Sequence, residues 1–477
     1  MSRAAALTIA LGALACGPEA ISDPGSGPVI ASAEASANPH NVLSARVILS
    51  VHDADSARVI YAAAGGTVQA TPFTPVRAGT DTITVLGLRP QTAYTLSVEA
   101  IGHSQPARAP DVSWTTGALP EILRSVRLAG SGAPSPGHTL VVPVFLGGQS
   151  DGYVVAFDQA GEISWYREIA GEGWAVEAKQ QPNGNISVYV GRSYGWQPAG
   201  GRFIEFRPDG EPVRTFAAAA PYFTDPHELL MSFRDTVLEA VHLLAYDLQP
   251  YAAEETRDGR TALAVHRVLR QGPKGSVAFT WDAGAHFSTS DWPEAAVPSD
   301  LVHPSSLDLD REGNYIVSLQ AIDEIVKVDA QTGAVLWRLG GTRSDFTIEG
   351  DPLGGFRGQH SVRALANGNL LVLDNHPGPG GPLSRAVEYR LDPAAGKAEL
   401  VWEFRPDPII PSPIMGSVQR LANGNTVVGF GVAARVIEVG PDAAMRWDAT
   451  LISSDGPGPL QFYRAVRMAS LYGYRVP

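Results

Sequence analysis

The sequence predicts an all-β chain, with an N-terminal β-sandwich followed by a six-bladed β-propeller. Three observations carry that reading. Fifty glycines and 37 prolines among 477 residues punctuate the chain with turns, which suits many short strands. A turn-plus-strand unit recurs as PNGNISVYV (182–190), REGNYIVSL (311–319), ANGNLLVLD (366–374) and ANGNTVVGF (422–430), and Gly313, Gly368 and Gly424 are 55 and 56 residues apart. Each period also ends in a strand carrying tryptophan: Trp165, Trp281, Trp337, Trp402 and Trp447. A repeat of this length, with about four strands and a terminal aromatic, describes propeller blades.

From the N-terminus, Arg3 precedes an apolar run from Ala4 to Ala15 that ends in Cys16, the only cysteine. The run is too short to span a membrane and reads as a signal peptide. Residues 1–16 are therefore expected to be a leader with a lipoprotein-type cysteine, Cys16 receiving the lipid. An ordinary secretory signal cut near Ala15 is the other reading. Either way the chain is exported. It is expected at the cell envelope, facing the periplasm or exterior and touching membrane only through that anchor. Residues 17–28 (GPEAISDPGSGP) read as a flexible tether.

Residues 29–117 change to short alternating strands such as Ala45-Arg46-Val47-Ile48-Leu49-Ser50-Val51. Within them, Leu86 to Val98 (LGLRPQTAYTLSV) resembles the fibronectin type III signature. That resemblance implies a β-sandwich spacer in which the Tyr94 hydroxyl folds back onto nearby backbone.

The propeller is placed at 120–477, with units beginning near 138, 174, 227, 303, 360 and 416. Seven blades stay open as an alternative, because the third unit is long and irregular, with Arg234-Asp235 as a degenerate turn. The segment Phe462 to Arg467 is expected to pair with the first blade and close the ring. Asn-Gly in the repeated turns predicts type I′ hairpins, with positive φ at both central residues.

Composition narrows the function. With 44% hydrophobic and 18% charged residues the chain is globular. A net charge of −13 argues against a nucleic-acid partner. No Gly-rich phosphate loop follows a strand and opens a helix, so no cofactor is expected. Three histidines, His227, His303 and His360, each open a segment that runs into a turn and then an apolar strand. His360 stands eight residues before Gly368, His303 ten before Gly313, and His227 eight before Asp235. In a radial repeat these places converge on the innermost strands at one channel mouth. Their spacing is not that of a local metal site, and no metal is expected.

The stretch from His303 to Tyr389 reads HPSSLDLDREGNYIVSL, DEIVKVDAQTGAVLWRLGG, GQHSVRALANGNLLVLDNH and SRAVEYRLD. It resembles the bacterial aryl-sulfate sulfotransferases, which pair an N-terminal β-sandwich with a six-bladed propeller. The likeness continues to Tyr463-Arg464-Ala465. It implies transfer of a sulfuryl group from a phenolic sulfate donor to a phenol acceptor without a nucleotide, through a sulfated histidine at the Gln-His motif, here His360. His303 and His227 match the family's other channel histidines, one as general acid or base and one steadying the sulfuryl group. Arg385, Gln320, Ser305 and Asn375 are expected to help bind substrate.

Two departures stand out: His303-Pro304-Ser305 where relatives have His-x-Asn, and Leu319-Gln320-Ala321 where relatives have Ser-Arg-His. Arg363, Arg385 and Lys327 are candidates to replace the lost arginine. The competing reading is a non-catalytic envelope propeller that binds protein or glycan. Its basis is Val328 to Trp337, which resembles the repeat of quinoprotein dehydrogenases and of envelope propeller lipoproteins.

Overall fold

The computed structural model describes residues 27–144, 151–191, 201–250, 262–293, 300–456 and 458–473. Cys16 and most of the tether lie outside them. Contacts divide the chain into two units. One takes in 47–83 and 94–114 with the first strand; the other takes in 115–477 together with 37–46 and 84–93.

The N-terminal sandwich has two sheets. One orders Val29–Ala37, Ser44–His52 and Gly79–Leu86; the other is built on the antiparallel pair Ser56–Ala63 and Ala93–Gly102. The predicted alternation is plain in Ser44–His52, where Ala45, Val47, Leu49 and Val51 are all buried. One face of each strand supplies the core.

Among the described residues the rest of the chain forms six blades, each with four successive antiparallel strands. The innermost strands are Trp174–Gln180, Phe223–Arg234, Pro304–Leu309, His360–Ala364 and Ser417–Arg420 in blades 2 to 6. Blade 1 is made from both ends of this unit. His138–Pro143, Asp151–Phe157 and Ile163–Ala170 are its outer strands, and Phe462–Met468 is its innermost, with Leu140 opposite Val466. Each inner strand touches the next, and Ser417–Arg420 touches Phe462–Met468, which touches Trp174–Gln180, so the ring closes. The irregular third unit is one blade with longer strands, Phe223–Arg234 and Val237–Pro250.

The tryptophans sit where the repeat put them. Trp165, Trp281, Trp337, Trp402 and Trp447 are all on fourth strands, and Trp165, Trp281 and Trp447 are nearly or wholly buried. The turns differ from expectation. Gly184 N donates to Gln181 O (2.8 Å), and only the glycine, not the asparagine, has positive φ. Gly368 and Gly424 repeat this pattern. These are type I turns followed by a left-handed glycine rather than type I′ turns. The asparagine side chain explains the change: Asn183 Oδ1 accepts the Asn185 N–H (3.1 Å), as Asn367 does for Asn369. That local bond holds the asparagine at negative φ.

Fanned inner strands are too splayed to share a backbone ladder, and side chains bridge them instead. Val362 N–H donates to Ser306 Oγ (2.9 Å) and Val418 N–H to Ser361 Oγ (3.2 Å). Ser417 Oγ accepts from Ala465 N and donates to Ala465 O. Gln419 does the same for the backbone of Arg467. The repeated serines therefore satisfy buried backbone groups that would otherwise be orphaned.

Candidate active site at the channel mouth

The three histidines lie at the starts of inner strands or within an early bulge. His303 immediately precedes its strand with φ +43°, and Ser361, next to His360, has φ +51°. The pairing slips between Thr224 and Leu229, between Pro304 and Ser306, and between His360 and Arg363. Such bulges re-aim side chains out of the regular pleat. Here they bring the rings of His227 and His303 to 4.9 Å, edge to face. His360 is within electrostatic reach of both.

Each ring is held at Nδ1. His360 Nδ1 lies 2.8 Å from Asn375 Oδ1 and 3.1 Å from Gly358 O. Asn375 Nδ2 donates to Ser412 O and Met415 O, so its oxygen faces the imidazole. Both partners of Nδ1 are acceptors, which puts the proton there and the lone pair on Nε2. Burial, together with the charge on His303 and His227, pushes the His360 pKa down to about 3. His360 is therefore a neutral imidazole across the whole working pH range.

His303 is the opposite case. Burial would lower its pKa, but Asp300 Oδ2, 2.8 Å from Nδ1, and Asp225 further off raise it above the ordinary value. His227 Nδ1 is 2.8 Å from Asp225 Oδ1, yet burial dominates and its pKa is lowered. Asp225 also faces His266 Nε2 at 3.3 Å. Burial opposes its ionisation, but the two histidines hold its carboxyl well below the usual range. Tyr463 stands 5.7 Å from His227, ring to ring, and its hydroxyl donates to Ser305 O (3.2 Å).

Next along the channel is an ionic cluster drawn from four inner strands. Glu228 Oε2 accepts from Arg464 Nη1 (2.8 Å) and Arg363 Nη1 (3.0 Å), while Oε1 pairs with Lys179. Arg464 also reaches Glu177 (3.1 Å) and Ser305 O (2.9 Å). Burial would raise the Glu228 carboxyl, but Arg363, Arg464 and Lys179 hold it below the ordinary range. Glu177, with burial and Glu228 acting against its charge, is pushed up to about 7.

Four residues expected to bind substrate make other contacts. Arg385 is wholly buried, donating to Asp374 (2.8 Å), to both oxygens of Asp351 (2.9 Å each), to Glu403 (3.1 Å) and to Gly355 O (2.9 Å). Its guanidinium is spent inside blade 5, which corrects the expected substrate role. Ser305 Oγ donates to Gln359 O (2.8 Å) and ties blade 4 to blade 5. Asn375 orients His360 rather than facing substrate. Gln320 N donates to His303 O (2.9 Å), and its side-chain amide lies alongside Gly358, the residue whose carbonyl holds His360. Of the candidates for the lost arginine's role, Lys327 pairs with Asp310 and Glu312 (2.7 Å each) and Arg363 with Glu228.

Sequence reasoning missed Asp225 and Asp300, although an acid two or three residues before a repeat histidine was a readable signal. It gave Arg464 no chemical role. It did align Gly416 with His360, and the structure explains the gap in the histidine set. At φ +108°, a Cβ on Gly416 would lie 2.3 Å from Gly429 O, so no side chain fits.

Residues 217–451 match the model of the arylsulfotransferase (ASST) family. That stretch, just under half of the chain, is similar to the arylsulfotransferases. A curated arylsulfotransferase, the arylsulfate sulfotransferase AssT of Escherichia coli O6:H1 (strain CFT073), is 32% identical over 92 residues, covering 17% of this chain and 15% of that protein's length. Solved structures are more distant. A protein of unknown function from Bacteroides caccae gives a TM-score of 0.43 at 14% identity, covering 70% of this chain and 100% of that one. A streptogramin B lyase gives 0.38 at 10%, covering 72% of this chain and 97% of that one.

The buried histidines carry a stability cost in acid. Unfolded histidines bind a proton near pH 6.5. Folded His360 resists until about 3, and His242, held by Ser232 and Tyr315, has its pKa pushed by burial to about 4. Below pH 6.5 the unfolded state binds more protons, so stability falls as pH drops, by up to about 1.4 kcal/mol per pH unit for each group. Denaturant titrations at pH 7 and pH 5 are expected to show this fall, and His242→Gln to make it shallower.

Proposed function

We propose that the chain is an exported, lipid-anchored aryl-sulfate sulfotransferase that passes a sulfuryl group from one phenol to another through His360. The carrying observation is the fixed tautomer of His360: Nδ1 donates to Asn375 Oδ1 and Gly358 O, leaving a lone pair on Nε2. A neutral, oriented imidazole is both a nucleophile and a leaving group, so it divides one displacement into two. Nε2 attacks sulfur, the bond from sulfur to the aryl oxygen breaks, and the departing phenolate takes a proton from His303. The acceptor phenol then gives its proton back to His303 and attacks sulfur, and the N–S bond breaks to restore His360.

His303 suits the acid role because Asp300 raises its pKa and fixes its ring. His227, held by Asp225, is assigned to hydrogen-bond the sulfuryl oxygens, and Gln320 to support the loop that carries Gly358. Export and the anchor at Cys16 rest on the leader sequence.

The test is release of 4-nitrophenol from 4-nitrophenyl sulfate by the purified protein with phenol as acceptor. Acceptor-dependent release and formation of phenyl sulfate are expected, and the absence of both overturns the proposal. The pH profile tests the acid separately. Asp300→Asn removes the charge that raises the His303 pKa, so the alkaline limb of kcat is expected to move to lower pH.

A further inference from the structure

Two histidines share the carboxylate of Asp225, which is wholly buried. Its Oδ1 accepts both the backbone N–H of His227 (2.8 Å) and the N–H at His227 Nδ1 (2.8 Å). Its Oδ2 has no well-aligned donor among the described residues, and His266 Nε2 stands 3.3 Å from it. His266 is also wholly buried, on Ala262–Gln271, the third strand of blade 3. A buried carboxylate oxygen needs a donor. A bare imidazole nitrogen at that distance would repel it, so the proton of His266 sits on Nε2. The same strand steadies the second acid of the site. Ala264 O accepts the Leu301 N–H (2.9 Å), and Ala264 bridges Asp300, whose Oδ2 lies 2.8 Å from His303 Nδ1. One strand, two removed from the channel wall, thus lies behind the acids of both paired histidines.

We propose that His266 is a positioning residue for the proposed sulfuryl transfer, its Nε2 N–H clamping the carboxylate that orients His227. The role in catalysis rests on that reading of the site; the clamp itself does not. Held at both oxygens, Asp225 cannot turn about its own bond. Nδ1 of His227 then stays on it, and Nε2 is the nitrogen left for a substrate. The charged and titratable neighbours are few. His303 and Arg464 act against a charge on His227, while Tyr189, Tyr246 and His303 lie within electrostatic reach of Asp225. Burial raises both phenols, so they stay neutral. Tyr246 also packs on His266, ring centres 5.9 Å apart.

The experiment is nitrogen-15 NMR of the histidine-labelled protein across a pH series, with signals assigned from His227→Gln and His266→Leu. In wild type, His266 is expected to carry a proton on Nε2 and His227 one on Nδ1. His266→Leu keeps the bulk and removes the donor, so more of the Asp225 charge falls on His227. The titration of His227 should then move up by about half a pH unit or more, a change that a merely structural role would not produce. Turnover of 4-nitrophenyl sulfate with phenol should lose at least about tenfold in kcat, with KM held within about twofold. His266→Gln, whose amide N–H can take the same place, should recover most of both. A bare Nε2 on wild-type His266, or a His227 titration unmoved in His266→Leu, overturns the proposal, and the first needs no variant to fold. Wild-type protein that turns over no aryl sulfate overturns the sulfuryl-transfer reading instead, and the NMR result still decides whether His266 acts on His227.

Discussion

His360→Ala is expected to lower acceptor-dependent turnover of 4-nitrophenyl sulfate by at least about 10³-fold, because under the proposed mechanism it removes the atom that takes the sulfuryl group. The readout that separates this role from a structural one is covalent. Brief mixing of wild-type protein with donor alone should give one equivalent of 4-nitrophenol and a stable mass gain on the peptide carrying His360. Neither should appear in His360→Ala. Asn375→Ala provides the finer comparison, since it keeps the nucleophile and removes the acceptor that sets its tautomer (2.8 Å from Nδ1). Its turnover is expected to fall between wild type and His360→Ala with the folding midpoint little changed. A burst of full size in His360→Ala would remove the histidine from the mechanism.

The second large effect is on stability. Arg464 is buried in the channel and bonded to Glu177, Glu228 and Ser305 O. Burial works against its charge, but Glu228, Tyr463 and Glu177 raise its pKa further, so the guanidinium stays ionised. Arg464→Met leaves two buried carboxyls short of a partner. Breaking a buried ion pair from one side costs about 3–5 kcal/mol, and urea unfolding should show a loss of that order. A double variant, Arg464→Met with Glu177→Gln, is expected to recover part of it, because the neutral amide no longer needs a cation. A single variant as stable as wild type would mean that the cluster is hydrated and dispensable.

The histidine site was legible because a radial repeat converts sequence register into spatial position. Similar distances from a turn, eight or ten residues, put His227, His303 and His360 at the starts of neighbouring inner strands, and the terminal tryptophans fixed where each blade ends. Arg385 was misread for a reason that register cannot reach. Its fate depends on Asp351 and Glu403, contributed by a connection outside the repeat and by the next strand. An arginine that opens a strand near a site looks the same in sequence whether its tip meets substrate or acids. The turns were misread because an asparagine that bonds its own loop overrides the dipeptide rule. The left-handed residues at His303 and Ser361 gave no warning either, since neither is glycine. Their conformation is imposed by tertiary packing, and it occurs where strain is useful.

Blade 1 takes its innermost strand, Phe462–Met468, from the far end of the chain. Tyr463, beside His227, and Arg464, at the centre of the ionic cluster, therefore follow all the other inner strands in chain order. A chain cut before them would have a gap in its ring and would lack two residues of the channel. The two ends of the propeller unit are thus held together by one sheet, and closure of the ring and assembly of the channel lining are a single event.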